Sequence, residues 1–332
     1  MHSKLRRSAL AGTAVLALAL TSCAGSQSGA GTQATAASSD KLSIVTSTNT
    51  YSDIAETVGG GKVSATAIID SISQDPHSYE GTARDRLALS EADLVIRNGG
   101  GFDPFMEQLA GDADVAAVID AFEVSGLDAA QEDEAAAHEA HEDEPAAGHA
   151  DEHEHAHGAV NEHVWYSLPA IARIADEIAA QLAKLDPENA ATYESNAAVF
   201  TDELATLEGR VEDLREEHGG SAIAATAPLA EHLLTDVGLV DKTPEEFTTA
   251  IEAGNDAPPT EIKEAQDLLT SGSVVLLAYN SQVEGPQSES LKSMANETGV
   301  PVVDFTETLP EDVSYVEWMN GNIDRLEAAL RS

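Results

Sequence analysis

The stretch "PENAATYESNAAVFTDELATLEGRVEDLREEHGG" (residues 187–220) decides the architecture of this protein. Its composition is strongly helical, Asp186-Pro187 separates it from the preceding helical segment, and two glycines close it, so we predict one continuous helix. More than thirty residues at about 1.5 Å each give a rod of roughly 45 Å, the breadth of a whole domain. We therefore expect this helix to link two lobes.

Strands and helices alternate at short intervals on both sides of the long helix. Before it, "KLSIVTST" (41–48) and "DLVIRNG" (93–99) have the character of buried strands, and "SVVLLAY" (273–279) and "PVVDF" (301–305) follow it. Helical segments lie between them, which is typical of parallel sheets covered by helices on both faces. The predicted fold class is α/β, with two doubly wound α/β lobes joined by one long rigid helix.

The predicted division of the exported chain is a first lobe (41–130), a segment that ends this lobe and contains the linking helix (161–220), and a second lobe (221–332). Nearly 300 residues are enough for two lobes with separate cores. We therefore expect each lobe to have its own hydrophobic interior.

The N-terminus has the features of an export signal. Residues 1–22 combine three basic residues with a short apolar run, too short to cross a bilayer, which predicts a signal peptide. The sequence "LTSC" around Cys23 resembles a lipoprotein cleavage site, although an ordinary secreted signal with an incidental cysteine is the alternative. Residues 23–40 are small and polar, typical of a flexible tether. We expect an extracytoplasmic protein anchored to the cell membrane by a lipid on Cys23, the only cysteine.

The chain is strongly acidic, with a formal net charge of −42. Such a surface repels nucleic acid and anionic lipid and attracts cations. We therefore expect no nucleic-acid partner. Acidity alone does not define a site, because many exported proteins are acidic for solubility.

Residues 131–160 interrupt the alternating pattern with alanine, acidic residues and histidine, and predict a disordered loop. Histidines two residues apart on an extended chain can share one ion, so weak binding of several metal ions is plausible. A solvated acidic spacer is the alternative. The histidines concerned are His138, His141, His149, His153, His155 and His157.

Two further histidines flank this loop. His77 in "QDPHSYE" (74–80) follows a predicted strand, where open α/β sheets bind ligands. His163 precedes Trp165, and an apolar neighbour favours the neutral, metal-binding imidazole. The alternatives are an exposed turn histidine for His77 and the last member of the histidine tract for His163.

Several motifs in a fixed order resemble one known family. "DPHSYE" (75–80), "EADLVIRNGGGFDPFMEQL" (91–109), an acidic histidine-rich insertion and "NEHVWYSLPAIARIADEIAAQL" (161–182) are similar to the zinc/manganese solute-binding lipoproteins of ABC importers. The resemblance covers the chain from residue 41. It implies a metal ion held in the cleft between the lobes, an ABC transporter permease as partner, and a monomer.

The resemblance also implies ligands. His77 and His163 match the first two metal ligands of the family. The family's carboxylate ligand, which follows the last strand, aligns best with Glu307 in "VVDFTETLP" (302–310), and Asp304 is the neighbouring alternative.

The third ligand of the family falls on Ala227, which cannot bind a metal. His232, five residues further on, is a substitute only if its helix is rotated or the metal is displaced. The expected set is therefore His77, His163 and Glu307, with the remaining position filled by water, by His232 or by an unidentified group.

Two imidazoles and a carboxylate suit Zn²⁺ and do not exclude Mn²⁺, and the histidine tract favours zinc. An open ligand position is also a feature of catalytic zinc sites, but the sequence has no His-Glu-x-x-His helix and no nucleophile elbow. We expect a metal receptor for an importer and not an enzyme. The alternative is a lipoprotein metal buffer or adhesin whose histidine tract is the main metal binder.

Overall fold

The computed structural model describes residues 41–112, 115–127 and 161–332. The predicted signal peptide, the tether with Cys23 and the histidine-rich loop (131–160) lie outside the described residues. What is described from residue 41 onward belongs to one compact unit.

Four parallel strands form the first sheet, in the order β2-β1-β3-β4. Its strands are β1 (Leu42–Thr48), β2 (Val63–Ile69), β3 (Leu94–Arg97) and β4 (Val118–Asp120), and its helices are α1 (Asn49–Gly59), α2 (Ala83–Ser90), α3 (Pro104–Asp112) and α4 (Ala121–Ser125). Ile44 pairs with Ala65 on one side and with Leu94 on the other, so β1 is central. Five successive residues of β1 are buried, as expected for a parallel strand covered on both faces.

The second sheet repeats this topology in the order β6-β5-β7-β8, again with parallel strands. Its strands are β5 (Ala222–Ala225), β6 (Val240–Asp241), β7 (Leu277–Asn280) and β8 (Val302–Phe305). The helices that follow the long helix are α7 (Glu231–Asp236), α8 (Glu245–Glu252), α9 (Pro259–Ser271), α10 (Pro286–Thr298) and α11 (Tyr315–Leu330). In each sheet the connections reverse direction beside the central strand, which is where ligands bind in open α/β sheets.

Two helices connect the sheets: α5 (Leu168–Leu185) and the 29-residue α6 (Ala190–His218). At about 1.5 Å per residue, α6 is roughly 44 Å long. The Asn196 side chain donates a hydrogen bond to the Val58 carbonyl in α1, and Arg210 bonds Asp324 and Glu327 in α11. The long helix is thus fixed to both lobes, and the predicted fold class is confirmed.

The expectation that each lobe has a separate core is wrong, because the largest hydrophobic cluster extends through both lobes. This cluster runs from Ile44 and Leu94 in the first sheet through Leu204 in α6 to Ile223 and Phe305 in the second sheet. Two smaller clusters are each confined to one lobe. The lobes share an interior because the apolar face of α6 packs against both, which opposes large movements between them.

Within the described ranges, no helix is both long enough and apolar enough to cross a bilayer.

Candidate metal centre

Four ligand-type side chains from both lobes meet between the sheets. The ligand atoms of His77, His163 and Glu252 all lie within 4.8 Å of one another. His163 Nε2 is 2.9 Å and His77 Nε2 is 4.0 Å from Glu252 Oε1. Glu307 lies at the edge of this group, with its Oε1 3.6 Å from His77 Nε2. Two imidazoles and two carboxylates therefore face one small volume.

His77 lies in the loop between β2 and α2, beyond the carboxyl end of its strand. The Asp75 side chain accepts a hydrogen bond of 2.9 Å from the His77 amide, which fixes the turn. The imidazole meets the edge of the Phe102 ring at 5.1 Å between centroids. Because Phe102 is fully buried, it holds one side of the imidazole against an apolar wall.

His163 is fully buried, and Asn161 determines which of its nitrogens carries the proton. Asn161 Oδ1 lies 3.0 Å from His163 Nδ1. The Asn161 amide nitrogen donates to the Pro228 carbonyl and to Glu231, so its orientation is fixed by two acceptors. An amide oxygen only accepts, so Nδ1 carries the hydrogen. The neutral imidazole then presents the Nε2 lone pair to the cluster, as a metal ligand must.

Glu307 follows β8 and has no exposed surface. Its Oε1 accepts a hydrogen bond of 2.8 Å from the Asn280 amide at the end of β7. The Asn280 oxygen accepts from the Gln282 amide at 2.9 Å, which fixes the orientation of Asn280. Adjacent parallel strands thus position the carboxylate and its supporting amide.

Glu252 was missed by sequence reasoning. It is the last residue of α8, where a carboxylate is disfavoured because the helix dipole is negative at that end. A glutamate placed against the dipole, next to Ala253 and Gly254, is a local signal that a cation is needed there. That signal is weak without the tertiary structure, since nothing in the sequence relates α8 to His163.

Three facing atoms, His77 Nε2, His163 Nε2 and Glu252 Oε1, are buried and have no hydrogen-bond partner among the described residues. The second carboxylate oxygen of Glu307, Oε2, is likewise buried without a partner there. The contact between His163 and Glu252 is short enough for a hydrogen bond, but it lacks the alignment. Buried polar atoms without partners are costly, so lone pairs that converge on one volume fit a cation between them.

The carboxylates around the two histidines also favour positive charge in the cluster. Burial lowers the pKa of His77, but contact with Glu307 and the charges of Glu307, Glu252 and Glu162 outweigh it and raise the pKa to about 9. Burial likewise lowers the pKa of His163, and Glu252 reverses the effect, so that this pKa is raised. Burial raises the pKa of Glu307, but His77 more than compensates and leaves it below its usual range.

A cleft of about 820 Å³ opens beside the cluster, between the two lobes. Apart from His77, the ionisable residues among the described lining are all acidic. They are Asp75, Glu162, Glu231, Asp241, Glu245 and Glu252. A cleft with charge of one sign raises the local concentration of the opposite ion, so this approach favours cations.

The structure brings His77, His163 and Glu307 together but not the two additional candidates. His232 Nε2 lies 3.2 Å from the Asn161 carbonyl, so the ring donates there and supports the loop of His163. Asp304 is half exposed and pairs with Lys292 at 2.7 Å. Both side chains are thus engaged with other groups, and Glu252 is the carboxylate beside His163. That either of them completes the ligand set stays a prediction.

Comparisons with known proteins agree with this architecture. Residues 44–329 match the family described as "Zinc-uptake complex component A periplasmic". The metal ABC transporter substrate-binding lipoprotein FimA of Streptococcus parasanguinis is 26% identical over 337 residues, which cover 97% of this chain and 98% of FimA. The manganese ABC transporter substrate-binding lipoprotein PsaA of Streptococcus mitis is 26% identical over 306 residues, 89% of this chain and 91% of PsaA.

The solved structure of the periplasmic zinc-binding protein TroA from Treponema pallidum has a TM-score of 0.67 at 18% identity, covering 87% of this chain and 99% of TroA. This similarity concerns the fold. The curated relatives are named as substrate-binding proteins, in agreement with the prediction that the chain is not an enzyme. The family description confirms the predicted extracytoplasmic location and the resemblance seen in the motifs. The chain therefore belongs to the family of the periplasmic component A of zinc-uptake complexes.

Proposed function

We propose that this protein captures a divalent transition-metal ion between its lobes and delivers it to the permease of an ABC importer. The ligands in this proposal are His77, His163, Glu252 and Glu307. The observation that carries it is that these imidazoles and carboxylates from both lobes approach within 2.9–4.0 Å, while His77 Nε2, His163 Nε2 and Glu252 Oε1 have no hydrogen-bond partner in the described part of the chain. Family membership and the names of the relatives support the transport role.

Zn²⁺ is the proposed cargo, with Mn²⁺ as its competitor. Glu252 adds a second carboxylate to the ligand set that the sequence indicated. Carboxylate oxygens are hard ligands, which suit manganese. Most sites with nitrogen and oxygen donors nevertheless bind zinc more tightly than manganese, following the general order of metal affinities. The names of the relatives include both metals, since PsaA is a manganese protein and TroA a zinc protein.

In this proposal the protein is a monomer, and a lipid on Cys23 holds it at the outer face of the cell membrane. Export and lipidation follow from the N-terminal sequence, and the relatives are named lipoproteins. Anchoring near the permease raises the effective concentration of the loaded receptor. The acidic cleft supplies ions from solution, and the histidine-rich sequence (131–160) acts as a weak collector of metal ions.

The test is a competitive titration with zinc and manganese on the whole protein and on a version lacking residues 131–158. His77→Ala removes a proposed ligand. His218→Ala is the matched control, because His218 ends α6 and contacts Glu217 outside the cleft. We expect one tight zinc equivalent in the loop-deleted protein, lost in His77→Ala and kept in His218→Ala.

Loss of all tight binding on deletion of the loop would contradict this function. It would favour the metal buffer or adhesin, in which the histidine tract is the main binder. Tighter binding of manganese than of zinc would keep the receptor function and change its cargo.

A further inference from the structure

We propose that Gln282 is a positioning residue for metal capture, which holds the loop of His77 and the loop of Glu307 at a fixed separation across the two lobes. This inference rests on the proposed function, because it concerns the same metal centre. Gln282 is not among the residues that line the cleft, and its hydrogen bonds reach the backbone of both loops, so its effect is exerted through the backbone.

The side-chain amide of Gln282 uses both of its ends. Its oxygen accepts hydrogen bonds from the Glu307 amide at 3.0 Å, and from the Thr308 amide and hydroxyl at 3.2 and 3.1 Å. Its nitrogen donates to the Gln74 carbonyl at 2.7 Å. The orientation is unambiguous, since a backbone N–H only donates and a backbone carbonyl only accepts. One side chain thus joins two loops that are distant in sequence.

Both loops carry proposed ligands close to these contacts. Gln74 is three residues before His77, and the intervening turn is closed by the bond between Asp75 and the His77 amide. On the other side, Gln282 binds the backbone amide of Glu307 itself. The 3.6 Å separation of His77 Nε2 and Glu307 Oε1 is therefore set by a backbone link as well as by the side chains.

A second amide, from the first lobe, makes the complementary connection. Asn49 donates to the Leu309 carbonyl and accepts from the Leu309 amide, both at 2.9 Å. The same nitrogen lies 3.4 Å from the Asp70 carbonyl. Residues 70–74 and 307–309 are thus joined at both ends, by Asn49 and by Gln282.

Preorganisation gives this link a consequence for binding. Ligands held in place before the ion arrives lose less freedom on binding, and supporting hydrogen bonds of metal ligands typically change affinity by about 10- to 100-fold. Loss of the Gln282 link frees the ends of the two loops that carry His77 and Glu307 to move relative to each other, while Asn49 still joins their other ends. The first effect expected is faster release of the bound ion, because the ligands from opposite lobes separate more often.

The experiment compares Gln282→Met with Gln287→Met in the whole protein. Gln287 is a matched control, since its amide also bonds a backbone N–H, that of Ala257, but links only segments of the second lobe. Zinc affinity is measured by competition with a chromophoric chelator, zinc release by mixing with excess EDTA, and the fold by the thermal unfolding of the metal-free protein.

We expect Gln282→Met to bind zinc about tenfold more weakly and to release it faster, with Gln287→Met within about twofold of the unmodified protein. Equal effects of the two variants, or unchanged binding in Gln282→Met, would overturn the role of Gln282. If the unmodified protein bound no zinc or manganese, the proposed function itself would fail.

If the methionine variant does not fold, Gln282→Glu tests the role of Gln282 instead. A carboxylate keeps the acceptor for the Glu307 and Thr308 amides and removes only the donor to Gln74. Its extra negative charge attracts cations, so weaker zinc binding in this variant follows only from the lost connection between the lobes. Zinc affinity equal to or above that of the unmodified protein would overturn the proposal.

Discussion

His163 Nε2 lies 2.9 Å from Glu252 Oε1, and this contact joins the loop before α5 to the last turn of α8 in the other lobe. Within the part of the chain that the structure describes, neither atom has a properly aligned hydrogen-bond partner. The pair is the closest approach of proposed ligands across the cleft. It brings a carboxylate that the sequence did not single out next to His163.

Replacing Glu252 by glutamine tests whether this carboxylate binds the ion. We expect Glu252→Gln to lower zinc affinity by at least about 100-fold, because loss of a ligand exceeds the 10- to 100-fold typical of supporting residues. Glu246→Gln is the control, since Glu246 is exposed at the start of the same helix. Competitive titration measures both, and equal affinities would remove Glu252 from the ligand set.

Asn161→Ala tests the orientation of His163. Without the Asn161 oxygen, nothing retains the hydrogen on Nδ1, so we expect zinc affinity to fall by about 10- to 100-fold. Nitrogen NMR of the metal-bound protein reports the imidazole tautomer directly. The unmodified protein should have His163 protonated at Nδ1 and bound through Nε2. The opposite tautomer would contradict the assigned arrangement.

His232→Gln tests whether the histidine of the second lobe binds the metal. Glutamine keeps a donor for the Asn161 carbonyl, so we expect zinc affinity within about threefold of the unmodified protein, as for a residue that binds no metal. His77→Gln, measured in parallel, should lose tight binding. A large loss in both variants would return His232 to the ligand set.

Metal affinity should increase with pH up to about 9. Zinc must displace the proton that His77 carries below its raised pKa of about 9. The stability of the metal-free fold should change with pH in the opposite direction. Because folding raises the pKa of His77, protonation of His77 stabilises the fold fully below about pH 6.5, and this stabilisation is lost as the pH rises towards 9. Zinc titrations and thermal unfolding between pH 6 and 10 measure the two trends. Affinity that is constant between pH 7 and 9 would contradict proton displacement from His77.

Bound zinc should stabilise the protein against heat. At free zinc about 1,000-fold above the dissociation constant, the gain is about 4 kcal/mol, or roughly 5–10 °C in the melting temperature of a chain of this size. Calorimetry with and without a chelator measures it. The loop-deleted protein should show the same shift, and His77→Ala should show none.

Local sequence determined most of the architecture. The length of α6 follows from its uninterrupted helical composition, and the strands follow from short apolar runs bounded by turn residues. The helix signal is local because each backbone hydrogen bond of a helix joins residues four positions apart. A strand that is buried on both faces is marked by its own continuous apolar run. His77, His163 and Glu307 could be proposed as ligands because they lie in motifs of fixed order, and the fold places them close together.

Only the tertiary structure brings Glu252 to the candidate metal centre. Glu252 lies 89 positions after His163 in the chain, and only the packing of α8 across the cleft brings the two together. His232 was assigned elsewhere because its ring reaches the Asn161 carbonyl. The shared core around α6 also has no local signal. Contacts between distant segments depend on the docking of whole lobes, and neither periodicity nor spacing along the chain records that geometry.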